Sequence, residues 1–274
     1  MTNQSPRFSI LMPSYNPGRY GITAIMSVLD QLGPLDEVVV QDGGSTDGWL
    51  KQVDDLNDSR IKVVTERDAG QADALNRALG RAINPWIGWL NADDIYFEGA
   101  LSRVRAAVES VPGADIVYGD FALIDAAGEV INSKKVSGIS LRSLALKGCA
   151  VFSGSFFVRS DLIRNAGGFS AQFTYCMDYE LYLRLWRRDG VVSVATSSRL
   201  GALRIHPGTK TSENPWSFVA EARRARKGVL APGALLYLSS FETLKHGLTV
   251  STTSIRASKV YGRMRGRTVA AKVG

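Results

Sequence analysis

The sequence is poor in cysteine and histidine. Two cysteines, Cys149 and Cys176, in 274 residues cannot form a disulfide framework and point to a reducing compartment. With two histidines as well, the chain lacks ligands for a thiolate zinc site. No stretch reaches the roughly 18 uninterrupted apolar residues of a membrane-spanning helix. The start, MTNQSPRFSILMPSYN, has an apolar run too short for a secretory leader. No Gly-Lys-Ser/Thr phosphate loop and no G-x-G-x-x-G follows the first apolar run, so a bound nucleotide must be held another way. What is present is ordinary for a globular chain with a sizeable core: 45% hydrophobic and 22% charged residues.

The net charge of +7 is concentrated at one end. Residues 228–274 carry Lys245, Arg256, Lys259, Arg263, Arg265, Arg267 and Lys272 against Glu242 alone, which is +6 and leaves +1 for the rest. A basic extension over 229–274 suits an anionic membrane leaflet, through peripheral contact from the cytoplasmic side. Basic residues and aromatics do not interleave there, which argues against nucleic acid.

Upstream, apolar runs alternate with helical spacing. Strands are predicted over 8–12, 35–41, 60–65 and 86–90, and helices over 19–32, 47–57, 70–83 and 97–110. That order predicts an α/β fold: a Rossmann-like, mostly parallel sheet with helices on both faces. After residue 114 the pattern becomes a small antiparallel annex, with a turn at Ala127-Gly128 and a strand at 153–160. A helix is predicted over 176–190, two strands at 191–196 and 200–206, and a helix over 215–228. The division is a catalytic domain over 1–228, with halves 1–113 and 114–228, followed by the basic tail.

The first four strands all run into polar or Gly-rich stretches: PSYN, QDGGSTDG, ERDAGQAD and NADD. Ligands of open parallel sheets bind beyond the carboxyl ends of the strands. Asp42, Asp68, Asp73, Asp93 and Asp94 are therefore expected along one cleft, where they need a cation or hydrogen-bond donors. Oxygen ligands suit Mg²⁺ or Mn²⁺ bridging to a diphosphate.

SILMPSYNPGRY, VVVQDGGSTDG, DAGQADALNRAL, GWLNADDIYFEGAL and MDYELYLRL follow the order and spacing of family 2 glycosyltransferases. The chain resembles these inverting enzymes, with their A-type glycosyltransferase fold, over about residues 7–210. The resemblance implies that Pro13, Tyr15 and Asn16 line the nucleotide pocket, with Tyr15 stacking on the base. It implies that Asp42 accepts a hydrogen bond from the base, and that Gln71 and Asp73 contact the nucleotide or donor sugar. Asn91-Ala92-Asp93 stands for the family's D-x-D motif, with Asn in place of the first Asp. Asp93 is then the metal ligand, Asn91 and Ala92 lie against the sugar or ribose, and Asp94 either joins the metal site or caps the next helix. Asp178 matches the catalytic base, with Glu180 as the weaker alternative. His206, with Arg204 and Lys210, would contact the diphosphate or metal.

The activity so implied is inverting transfer of a sugar from a nucleoside-diphosphate sugar, most naturally a uridine one, to a glycan or lipid-linked hydroxyl. Polysaccharide or glycolipid synthesis is the setting. Two alternatives stand beside it. One is nucleotidyl transfer, which would release pyrophosphate. The other is an inactive glycosyltransferase-like binding module.

Overall fold

A computed structural model describes residues 5–206 and 215–230. The chain divides into two units, Met1–His206 and Pro207–Gly274. In the second, the described part is helix α8 (Pro215–Arg226) and the short turn after it. The basic tail lies almost wholly outside the described residues, as does Lys210.

The first unit is built on one continuous mixed sheet. Four strands lie parallel: β1 (Phe8–Ser14), β2 (Glu37–Asp42), β3 (Ile61–Thr65) and β4 (Trp86–Trp89). Helices α1 (Arg19–Leu29), α2 (Trp49–Asp54) and α3 (Gln71–Arg81) connect them. β5 (Ile95–Tyr96), α4 (Ala100–Ser110), β6 (Ile116–Ile124), β7 (Val130–Lys134) and α5 (Leu141–Lys147) follow. A 3₁₀ turn at Ser153–Ser155 leads into β8 (Phe156–Arg159), α6 (Ser160–Asn165), α7 (Met177–Trp186) and β9 (Ser193–Arg204). Across the sheet the order is β3-β2-β1-β4-β8-β6-β9-β5, with β7 also paired to β6. The expected parallel half and annex share a single sheet, joined where β8 runs antiparallel to both β4 and β6, but the annex is mixed rather than antiparallel, because β9 runs parallel to β6.

Every residue of β1 and β2 is buried, as central strands covered on both faces must be. Phe8, Ile10 and Met12 pack with Ala24, Ile25 and Val28 of α1, Trp49 of α2 and Leu101 and Val104 of α4. The buried residues of α1, at 21, 24, 25, 28 and 29, form the single stripe that a helix of period 3.6 lays on a core. α3 packs on the same two strands, with Ala74, Leu75, Ala78 and Leu79 buried. α4 begins at residue 100 rather than 97, because Gly99 takes a φ of 72° that a side chain would resist.

The two strands predicted near 191–206 are one twelve-residue strand, β9. Its pairing with β6 jumps from Gly119↔Thr196 to Asp120↔Arg199 and then to Phe121↔Gly201. This bulge breaks the period-two pattern without breaking the strand. A Cβ on Gly119 would sit 2.8 Å from both the Leu200 side chain and the Ser198 carbonyl, so the bulge needs a glycine there. β5, α5 and α6 were not anticipated.

Candidate active site

The loops after β1 and β2 are built around Asp42. Its carboxylate is fully buried and takes five hydrogen bonds. Oδ1 accepts the Gly44 and Ser45 N–H groups at 2.9 and 2.7 Å. Oδ2 accepts the Ser14 and Ser45 hydroxyls at 2.8 and 2.6 Å and the Trp49 indole at 3.2 Å. Burial alone would raise this carboxyl, but the Ser45, Ser14 and Trp49 donors outweigh it and hold the group below its usual range. Trp49 in turn fills the space over α1: a Cβ on Gly21 would lie 2.7 Å from its ring.

The neighbouring loop is tied to this one. Asn16, at a φ of 46°, donates its N–H to Ser45 Oγ at 2.7 Å and accepts the Thr46 N–H on Oδ1 at 2.8 Å. Asn16 therefore orders the loop. Tyr15 stands out from it, 69% exposed. A Cβ on Gly43 would lie 2.9 Å from Asp68 Oδ2 and 3.4 Å from the Tyr15 ring, so Tyr15, Gly43 and Asp68 face one another closely. Pro13 lies within β1, opposite Gln41 of β2.

A second cluster follows β4. Asn91 Oδ1 accepts the Gln71 amide at 2.8 Å and the Trp89 indole at 2.9 Å, and its own amide donates to Asp94 Oδ2 at 3.0 Å. An aspartate at 91 would set a second carboxylate against Asp94, which explains why Asn stands first in Asn91-Ala92-Asp93. Asp94 is fully buried, and its Oδ1 accepts the Arg204 N–H at 2.9 Å. Burial, and then the charge of Asp93, push its carboxyl well above the ordinary range. Asp94 thus ties the β4 loop to β9 and presents no exposed oxygen to a metal. It does not cap α4 either. Ala92 belongs to the core.

Asp93 points the other way. Its Oδ2 lies 3.0 Å from His206 Nε2, and its carbonyl accepts Arg204 Nε at 2.8 Å. The His206 ring packs on the Tyr20 ring at 4.9 Å, and the Arg204 and Arg19 guanidiniums lie 4.8 and 5.1 Å from the Tyr20 ring. Tyr20 is the residue that sequence reasoning missed. Its signal, an aromatic next to an arginine at the start of a helix, is too common to stand out. Among the described residues no three His, Cys, Asp or Glu side chains gather as a metal cage. A carboxylate and an imidazole in contact do suit Mn²⁺ or Mg²⁺ as a partial set, completed by substrate oxygens.

Asp73 serves its own helix. Its Oδ2 accepts the Ala69 N–H at 2.9 Å and pairs with Arg77. The Ala69 N–H, and then Arg77, hold its carboxyl low. Glu180 is likewise committed, to a two-pronged pair with Arg184 at 2.6 and 2.8 Å. Asp178 is different. It lies at the start of α7, partly exposed, and among the described residues its one donor from another residue is the Tyr179 N–H on Oδ1 at 2.7 Å. Desolvation pushes its carboxyl up to about 6, against the opposing pull of that N–H. No hydrogen bond joins Asp178 to either cluster.

Residues 9–162 match the Glycosyl transferase family 2. The chain belongs to that family. The glycosyltransferase is 29% identical over 190 residues to the UDP-Glc:alpha-D-GlcNAc-diphosphoundecaprenol beta-1,3-glucosyltransferase WfgD of Escherichia coli, covering 68% of this chain and 72% of that one. It is 26% identical over 209 residues to a PGL/p-HBAD biosynthesis glycosyltransferase of Mycobacterium bovis, covering 73% and 79%. By contrast, it spans 32% of an uncharacterized glycosyltransferase of Rickettsia felis, 25% identical over the match. Among solved structures its fold is similar to S. aureus TarS 1-349 in complex with UDP-GlcNAc, with a TM-score of 0.67 at 19% identity over 89% of this chain and 73% of that one. It is also similar to the Pyrobaculum calidifontis mannosyltransferase PcManGT in complex with GDP-Man and Mn²⁺, with a TM-score of 0.59 at 17% identity over 92% and 85%. The A-type glycosyltransferase fold read from the sequence is the fold of this enzyme. No helix among the described residues is long and apolar enough to cross a membrane.

Proposed function

We propose that the enzyme moves a sugar from a uridine-diphosphate sugar to a hydroxyl of a lipid-linked glycan acceptor, with inversion at the anomeric carbon. The observation that carries this is Asp178, a half-buried residue at the start of α7 whose desolvated carboxyl is raised to about 6, near the working range of a general base. The acceptor oxygen attacks the anomeric carbon, its proton passes to Asp178, and the bond from that carbon to the diphosphate oxygen breaks. Attack opposite the leaving group inverts the centre.

Tyr15, exposed beside Gly43, supplies a stacking face for the base. Asp42 has both oxygens filled, so its part is to hold the two loops that shape the pocket. Gln71 and Asn91 carry the network that fixes the β4 loop. Asp93 and His206 would hold the divalent ion, which when bound offsets the charge of the departing diphosphate. Arg204 and Tyr20 fix His206 and Asp93 against each other. The lipid-linked acceptor and the uridine donor draw support from the substrates named for WfgD and from the UDP-GlcNAc in TarS.

Turnover of Asp178→Asn with a uridine-diphosphate sugar and a polyprenyl-diphosphate-linked acceptor tests this reading. The expected loss is about a thousandfold in kcat with donor KM little changed. Turnover within about threefold of the unaltered enzyme would remove Asp178 as the base.

A further inference from the structure

One turn beyond Asp178 on α7, Tyr182 is fully buried and its hydroxyl has no hydrogen-bond partner among the described residues. A buried hydroxyl left unpaired is costly, and folded proteins carry few such groups. Spacing of i and i+4 puts both residues on one face of the helix. Helical side chains lean back toward the N-terminus, so the phenol lies over the turn that starts with Asp178. Phe156 of β8, 4.5 Å from the Tyr182 ring, and Trp186, 6.2 Å away, hold the ring in place. Asp178 has the complementary lack: Oδ1 has the Tyr179 N–H, and Oδ2 accepts no hydrogen bond from a described residue.

The titratable groups around Tyr182 are few. From its own helix it feels Asp178, and from the segment after α5 it feels Cys149. Burial first, then these two, push the phenol well above its usual range, so it stays a donor at any working pH. Glu180, also on α7, is taken by Arg184, and the Tyr179 hydroxyl donates to the Leu144 carbonyl of α5 at 2.7 Å.

We propose that Tyr182 is a positioning residue for Asp178: its buried hydroxyl donates to the second carboxylate oxygen once Asp178 is ionised, and so aims the carboxylate at the acceptor. This rests on the reading of Asp178 as the base. A donor to the ionised form favours ionisation, so its removal should make Asp178 harder to ionise.

The test uses the full chain carrying [4-¹³C]aspartate, with the Asp178 signal assigned by its loss in Asp178→Asn. In Tyr182→Phe the titration midpoint of Asp178 should rise by about one pH unit, a tenfold change in its acid constant. The melting temperature should hold or rise, because an unpaired hydroxyl has been removed. Tyr96→Phe is the control: it also deletes a buried hydroxyl unpartnered among the described residues, on β5, and should leave the midpoint in place. A midpoint unmoved in Tyr182→Phe, or moved equally in Tyr96→Phe, overturns the proposal. The titration needs no substrate, so its failure leaves the transferase reading intact. Undiminished turnover of Asp178→Asn would remove the base assignment instead.

Discussion

Asp42 and Asp178 are two carboxylates in opposite circumstances. Asp42, at the end of β2, is saturated by five donors, and its charge is stabilised. Asp178, at the start of α7, has one donor from another described residue, and its charge is penalised. The difference separates two ways a fold uses an acid. A carboxylate surrounded by donors organises backbone and has no lone pair left for chemistry. A carboxylate stripped of donors destabilises the fold and keeps its proton affinity for a substrate.

The largest way to break that comparison is Asp42→Ala. It strands two N–H groups, two hydroxyls and an indole in the interior, so a loss of about 3–5 kcal/mol is expected in denaturant unfolding at neutral pH. A loss below about 1 kcal/mol would mean the cage does not hold the loops. Next comes the stability of Asp178→Asn, which should move the other way. The folded carboxyl sits at about 6, above its ordinary value of 3.8. The protonated form is therefore favoured by folding, and stability is full below about 4 and falls as pH rises through about 6. Asn removes that cost, so the variant should gain about 3 kcal/mol over the unaltered chain at pH 8 and almost nothing at pH 4. For Asp42 the sign is reversed: its contribution is present above the ordinary carboxylate range and is lost as pH falls through its lowered value. The smallest effect is reserved for Tyr15→Ala. At 69% exposure it should change stability by no more than about 0.5 kcal/mol, while calorimetry should read roughly tenfold weaker binding of uridine diphosphate. Unchanged binding would remove the stacking role.

Much of this is legible in the sequence. The β1–α4 alternation announced itself because central strands are apolar throughout and their helices carry one clean stripe. The polar strand ends do carry the two hydrogen-bonded clusters around Asp42 and Asn91. What the residues hid was direction. Asp93 and Asp94 look alike in sequence, yet one meets His206 and the other is enclosed by Asn91 and Arg204. Only the partner strand β9, more than a hundred residues away, decides which is which. The same distance conceals why β9 is one strand, since its bulge is set by Gly119 of β6. Asp73 read as a ligand because an acid opening a helix looks the same whether it serves the helix or a substrate.

The contact between Gly21 and the Trp49 ring carries a practical corollary. The same indole that wedges α1 against α2 is hydrogen-bonded to Asp42, so the loop after β2 has no independence from the centre of the molecule. Heat or denaturant should not loosen that loop early, as surface loops commonly do. It should let go when the helices do, and Trp49 emission would register both in one step.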